Sequence, residues 1–180
     1  MAHENEHHHG SVEYRFCPCC GGDLALRKLK VNEPERLLCQ KCGFVFYMDP
    51  KVVAGTIFAI KDKVVLLQRG VEPAMGKWVF PGGYVDRGES VRQAAIRETE
   101  EESNLQVKLC SLLNVYSYPR SPNVIVVYAA EIVGGELKAA DETVDARMFA
   151  PSQIPWDDLA FASTRDALND YVRLYLPQRS

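Results

Sequence analysis

Glu98, Glu101 and Glu102 are the residues of this 180-residue chain best equipped to do chemistry. They sit in the run Arg97-Glu98-Thr99-Glu100-Glu101-Glu102-Ser103-Asn104-Leu105, downstream of Gly83 and Glu89. On a helix of about 3.6 residues per turn, these spacings bring the three carboxylates side by side. Adjacent anions repel, and a multivalent cation held among them resolves the conflict. Hard ions such as Mg2+ take oxygen ligands and share their coordination shell with substrate phosphates. At about 100° per residue, Glu98 and Glu102 fall within roughly 20° of Val91 and so extend the apolar stripe of Val91, Ala94 and Ala95. Burying an unpaired charge is costly, whereas a metal-coordinating charge is tolerated. Glu100 points the opposite way and reads as solvated. The chemistry these residues suit is metal-assisted attack on a phosphate.

The flanking residues supply the frame. Ser90 followed by Gln93 is a capping-box signature, which predicts a helix starting at Ser90. Asn104 tolerates the left-handed conformation that closes a helix. Pro81-Gly82-Gly83 predicts a sharp bend where backbone can approach a ligand closely, with Gly88 at the far end of the loop. Arg97 stands four residues before Glu101, the spacing of a helical ion pair.

Cys17-x-x-Cys20 and Cys39-x-x-Cys42 form a second constellation, with eighteen residues between the pairs. That spacing fits a four-cysteine zinc site. Zn2+ held by four thiolates is closed and therefore structural, and contributes on the order of 10 kcal/mol to folding a small segment. The competing pattern is a pair of disulfides. Cys19 lies inside the first knuckle as a bystander, and Cys110, in an apolar stretch, reads as a small core residue.

Length allows one ordinary domain plus a small module. No apolar run approaches the eighteen or so residues that a membrane span needs, and the expected location is cytoplasmic. The net charge of −3 argues against a nucleic-acid partner. Arg27, Lys28 and Lys30 make a local basic spot that reads as a solvated hairpin edge. The expected organisation is a disordered polar tail over 1–12, including His7-His8-His9, a zinc ribbon over 13–48 and a catalytic domain over 49–180. Within that domain, Val52–Ile60 and Val64–Gln68 read as a hairpin joined near Lys61-Asp62-Lys63. Val107–Val115, Asn123–Ala130 and Ala146–Ala150 are further strands, Gly134-Gly135 a turn, and Ser163 or Thr164 to Tyr175 a closing helix.

The stretch from Gly83 to Leu105 resembles the Nudix box, the signature of hydrolases that cleave a nucleoside diphosphate linked to another group. It matches at the glycine, the first glutamate, the Arg-Glu pair and the Glu-Glu pair. Thr99 stands where an aliphatic residue is usual, and Asn104 replaces the late glycine. The resemblance implies an α+β fold, an α/β/α sandwich with a mixed sheet, behind the small ribbon. It makes Glu98, Glu101 and Glu102 ligands for Mg2+ or Mn2+, completed by the Gly82 carbonyl. Glu89 would hold Arg97, which would orient the catalytic glutamates. The general base would be Glu98 or a residue of a later loop, Glu142 ahead of Glu136.

Substrate choice rests on finer likeness. NADH pyrophosphatases carry Ser-Gln-Pro-Trp-Pro-Phe-Pro where this chain has Val115-Tyr116-Ser117-Tyr118-Pro119-Arg120. Trp78, Pro81, Gly83, Tyr84 and the ending Pro155-Trp156-Asp157-Asp158-Leu159-Ala160-Phe161 are more similar to FAD pyrophosphatases. That implies a homodimer hydrolysing FAD to FMN and AMP, or ADP-ribose, a small dinucleotide in either case. Gly82 and Gly83 would approach the substrate, with Tyr116, Tyr118 and Phe161 as candidates to stack on adenine or flavin. The alternatives are an NADH or NAD-cap pyrophosphatase and a regulator that binds a nucleotide without cleaving it.

Overall fold

The computed structural model describes residues 14–119 and 121–176. The expected polar tail, with His7-His8-His9, and position Arg120 lie outside the described residues. The chain divides into two compact units between Asp49 and Pro50.

The first unit is an antiparallel sheet of β1 (Leu24–Arg27), β2 (Arg36–Cys39) and β3 (Val45–Phe46), in the order β1-β2-β3. Strands this short bury little apolar surface, so the four cysteines must supply what a core would.

The second unit contains β4 (Lys51–Ile57), β5 (Ala59–Ile60), β6 (Lys63–Arg69), β7 (Trp78–Val79), β8 (Gly82–Tyr84), α1 (Val91–Ser103), β9 (Leu105–Ser117), β10 (Asn123–Gly135), β11 (Thr143–Phe149) and α2 (Ala162–Tyr175). Two short 3-10 turns, Pro151–Gln153 and Trp156–Asp158, precede α2. One sheet runs β8-β4-β10-β9 and the other β11-β6-β5, with β7 paired to β6. β4 and β10 are parallel and the other pairs antiparallel, so the first sheet is mixed.

Val64-Val65-Leu66-Leu67 is wholly buried without alternation, the mark of a strand covered on both faces. Val64 and Leu66 pack with Ile57, Phe80, Ala167 and Leu168 under α2. Val65 and Leu67 pack with Ala54, Phe58, Ala94 and Ala95 under α1. A core on each face with a helix over each gives the α/β/α sandwich. Among the described residues, no helix is long and apolar enough to cross a membrane.

Three expectations are corrected. The run from Val52 to Ile60 is two strands, β4 and β5, broken at Phe58; β4 joins one sheet and β5 forms the hairpin with β6 in the other. Lys61 and Asp62 turn that hairpin, both at positive φ. Gly134-Gly135 is the end of β10, paired with Gln106 and Leu105. Glycine is needed there because a Cβ on Gly135 would lie 2.2 Å from the Asn104 carbonyl oxygen. Cys110 is exposed on the outer face of β9, where Leu105, Val107 and Leu109 alternate inward.

Candidate functional site

The carboxylate-bearing helix α1 is capped as its sequence demands. Ser90 Oγ accepts from the Gln93 amide while Gln93 Oε1 accepts from the Ser90 amide. Asn104 closes α1 in the left-handed conformation, at φ 57°. The segment leading from β10 into β11 satisfies the helix's terminal carbonyls. Lys138 N donates to Ser103 O, Ala140 N to Glu102 O, and Thr143 Oγ1 also to Glu102 O. Asn104 Nδ2 donates to Glu136 O. Thr99 is buried on the inner face of α1, where its hydroxyl donates to Ala95 O at 2.7 Å and meets Thr56 Oγ1 at 2.6 Å. A polar residue at this usually aliphatic position is therefore satisfied by a second threonine on β4.

Glu102 is 7% exposed. Its Oε2 accepts from Gly82 N at 2.9 Å. The contact the structure shows at Gly82 is thus through its amide. Burial raises the Glu102 pKa to about 7, against the Gly82 hydrogen bond; the negative charges of Glu98 and Glu142 add to the rise and Arg69 opposes it. Glu98 lies beside Gly83, where an added Cβ would sit 2.5 Å from the carboxyl group. Its pKa is also raised by burial, with Arg97 pulling the other way. Gly83, in the middle of β8, is thus a cradle shaped for a carboxylate.

Arg97 uses all five of its N–H donors. Nε and Nη2 grip Glu89 at 3.0 and 2.9 Å, Nη1 reaches Glu98 Oε1 at 2.7 Å and Glu101 Oε2 at 3.0 Å, and Nη2 also meets Tyr84 O at 3.1 Å. The guanidinium holds Glu89 below the usual carboxylate range. Arg97 stands between Glu98 and Glu101, and the Glu101 side chain is 49% exposed. Among the described residues, only the four cysteines form a set of three or more candidate ligands with atoms within 4.8 Å of one another. Glu101 is turned outward to the arginine.

Glu142 precedes β11. Its carbonyl accepts from Gly70 N at 2.7 Å, and its charge is felt at Glu102. Glu136 is exposed at the far end of the same segment. Arg69, overlooked in the sequence, ends β6 with its guanidinium carbon 5.2 Å from the Phe161 ring centre and its charge acting on Glu102. An arginine closing a strand with the apolar run Val64-Val65-Leu66-Leu67 was the available signal. Tyr116 is packed in the core with its hydroxyl donating to Asp170, and the Tyr118 hydroxyl donates to Asp166, both aspartates on α2. These two rings tie α2 to β9, while Phe161 is partly exposed and paired with Arg69.

In the ribbon, Cys17, Cys20, Cys39 and Cys42 converge, with Sγ–Sγ distances of 3.8 Å for Cys17–Cys42 and 3.5 Å for Cys20–Cys39. A tetrahedral ZnS4 centre with bonds of about 2.3 Å has edges of about 3.8 Å, so the donor set fits Zn2+. The amides of Cys42 and Lys41 point at Cys39 Sγ and, led by Cys42, lower its pKa to about 6. Cys19 is exposed and outside the cluster.

Comparison with known proteins agrees with this geometry. Residues 48–171 match the NUDIX domain and residues 15–48 the Nudix N-terminal zinc ribbon. The chain is 37% identical over 164 residues to an ADP-ribose pyrophosphatase of Methanocaldococcus jannaschii, covering 87% of this chain and 95% of the relative. It is 28% identical over 170 residues to the NAD-capped RNA hydrolase NudC of Pseudomonas aeruginosa, covering 92% of this chain but only 57% of that longer protein. The crystal structure of a NUDIX hydrolase from Nitrosomonas europaea superposes with a TM-score of 0.84 at 34% identity, covering 91% of this chain and 93% of the other. The NUDIX match covers well over half of the sequence, and the chain belongs to the Nudix hydrolases.

Proposed function

We propose that this Nudix hydrolase cleaves the pyrophosphate bond of a small dinucleotide, ADP-ribose or FAD, with Mg2+ or Mn2+ as catalytic ion. On this reading residues 13–48 are the ribbon and 49–180 the catalytic domain. The observation that carries it is the pairing of two inward carboxylates, Glu98 and Glu102, with the Gly82-Gly83 backbone under a fully committed Arg97. The ADP-ribose pyrophosphatase relative supports the substrate class.

Glu98, Glu101, Glu102 and the Gly82 carbonyl would hold the ion, which supplies charge neutralisation and a lowered water pKa. Arg97 fixes Glu98 and Glu101 while Glu89 fixes Arg97, so the reacting geometry is set before substrate arrives. Glu98 or Glu142 accepts the proton of the attacking water. Arg69 adds positive charge on the Glu102 side, where the bridging phosphates of a dinucleotide would lie. Phe161, beside it, offers a ring to a base. The reduced-thiolate ribbon suits a reducing compartment such as the cytoplasm.

The test is a panel of ADP-ribose, FAD and NADH incubated with Mg2+, with AMP release as the readout. Release from ADP-ribose or FAD that is lost in Glu98→Gln is expected. Equal activity of that variant would refute the site, and turnover of NADH alone would refute the substrate. Cleavage of an NAD cap is the second reading, favoured by the NudC relative, whose match spans ribbon and catalytic domain together. A nucleotide-binding regulator has no use for two inward carboxylates; absence of turnover with the whole panel would restore it. A homodimer is the proposed assembly, checked by light scattering.

A further inference from the structure

We infer that the zinc ribbon carries a phosphate-gripping face for single-stranded RNA, built on Arg27 and Arg36. The two arginines lie directly opposite each other in the antiparallel β1–β2 pair, three rungs from Cys39. Directly opposed side chains have Cβ atoms about 5 Å apart, and like charges in that position are destabilising. Among the described residues neither arginine has a carboxylate partner, whereas the nearby Lys30 is paired with Glu33 at 2.9 Å. Arg36 Nε is buried without a hydrogen-bond partner, and its guanidinium carbon stands 5.3 Å from the Tyr47 ring centre. A planar donor fork stacked on an aromatic ring, on a strand position paired with a second arginine, suits phosphate oxygens.

The surroundings select the partner. Residues 14–48 hold six Lys and Arg against three Asp and Glu, although the chain as a whole is net −3. The chain-wide charge thus conceals a segregated positive ribbon. Arg27 continues into exposed Lys28, and Tyr47, Phe16 and Tyr14 are exposed rings of the same unit. A cluster of cations with exposed rings in the same small unit suits a flexible single strand, whose phosphates track the charges while its bases stack. A compact acidic peptide would use the cations and leave the rings idle.

The experiment uses the full zinc-loaded chain and a fluorescein-labelled oligouridylate, read by fluorescence anisotropy across a salt titration. Wild-type protein is expected to bind with an affinity that falls as salt rises. Arg27→Gln/Arg36→Gln should weaken binding at least tenfold and flatten the log–log salt slope by about 1.4, two single-strand phosphate contacts at about 0.7 each. Zinc content and dinucleotide hydrolysis should be unchanged, which separates a lost contact from a collapsed ribbon; Arg27→Gln alone, on the exposed strand end, should give about half the change in slope. Equal affinity and slope in wild type and variants would overturn the inference. So would a polyglutamate peptide competing as well as oligouridylate, which would assign the face to an acidic protein. Binding is read without turnover, so its failure leaves the hydrolase reading intact, and the reverse holds.

Discussion

Glu102 ties the stability of the fold to pH in a way that can be measured. Its pKa rises from 4.5 to about 7 on folding, chiefly through burial, and the residue is only 7% exposed. A carboxyl whose folded pKa is raised holds its proton longer in the native state than in the unfolded chain. Between those two values the native state binds more protons, so stability falls as pH rises. At about 1.4 kcal/mol per pKa unit the full penalty is about 3 kcal/mol, of which about 2 kcal/mol develops between about pH 5.5 and 8. Glu102→Gln keeps the shape and the acceptor for Gly82 N but cannot ionise. Urea unfolding of both proteins, freed of Mg2+ without a chelator so that the ribbon keeps its zinc, should show the variant gaining about 2 kcal/mol on wild type across that window. Adding Mg2+ at high pH should stabilise wild type and leave the variant nearly unmoved. Parallel pH profiles for the two proteins would refute the reasoning, because they would mean that Glu102 is already solvated or paired.

Other outcomes test the remaining joints. Arg97→Lys keeps the charge but loses the five-donor fork; kcat should drop by about a hundredfold with little change in thermal midpoint, measured by AMP release and calorimetry. Gly83→Ala pushes its methyl into the Glu98 carboxyl group, whose ideal Cβ distance is 2.5 Å, so activity should fall far more than stability. Thr99→Val strands the Thr56 hydroxyl in the core and should cost about 1–3 kcal/mol in urea unfolding, while Thr56→Val/Thr99→Val should recover most of it. Cys39→Ser should abolish stoichiometric zinc, measured by metal analysis of the purified chain.

The carboxylate helix α1 was readable because its signals are local. Ser90, Gln93 and Asn104 act on backbone within one turn, and the register of Glu98 and Glu102 against Val91 follows from helical geometry alone. The cysteine spacing was equally self-contained. What escaped depends on partners distant in sequence. Nothing between Val52 and Ile60 announces that Phe58 passes the chain from one sheet to the other, because both halves are apolar and β-prone. Gly134-Gly135 has turn composition, but its role is set by the Asn104 carbonyl across the ladder. Cys110 looked apolar by its neighbours, and only the alternation of β9 decides its face. The bonds of the Tyr116 and Tyr118 hydroxyls to Asp170 and Asp166, about fifty residues later, were likewise beyond any local signal.

The segment from Glu136 to Thr143 is pinned at both ends to the last turn of α1, by Asn104 on one side and the Glu102 carbonyl on the other. Between those staples the side chains of Lys138 and Asp141 are exposed and, unlike Glu142, carry no part of the proposed chemistry. A library randomised there, with the pinning residues left alone, would explore new specificities while the chemistry stayed in register. Diversification of this enzyme, in the laboratory or by descent, has a ready-made place to begin.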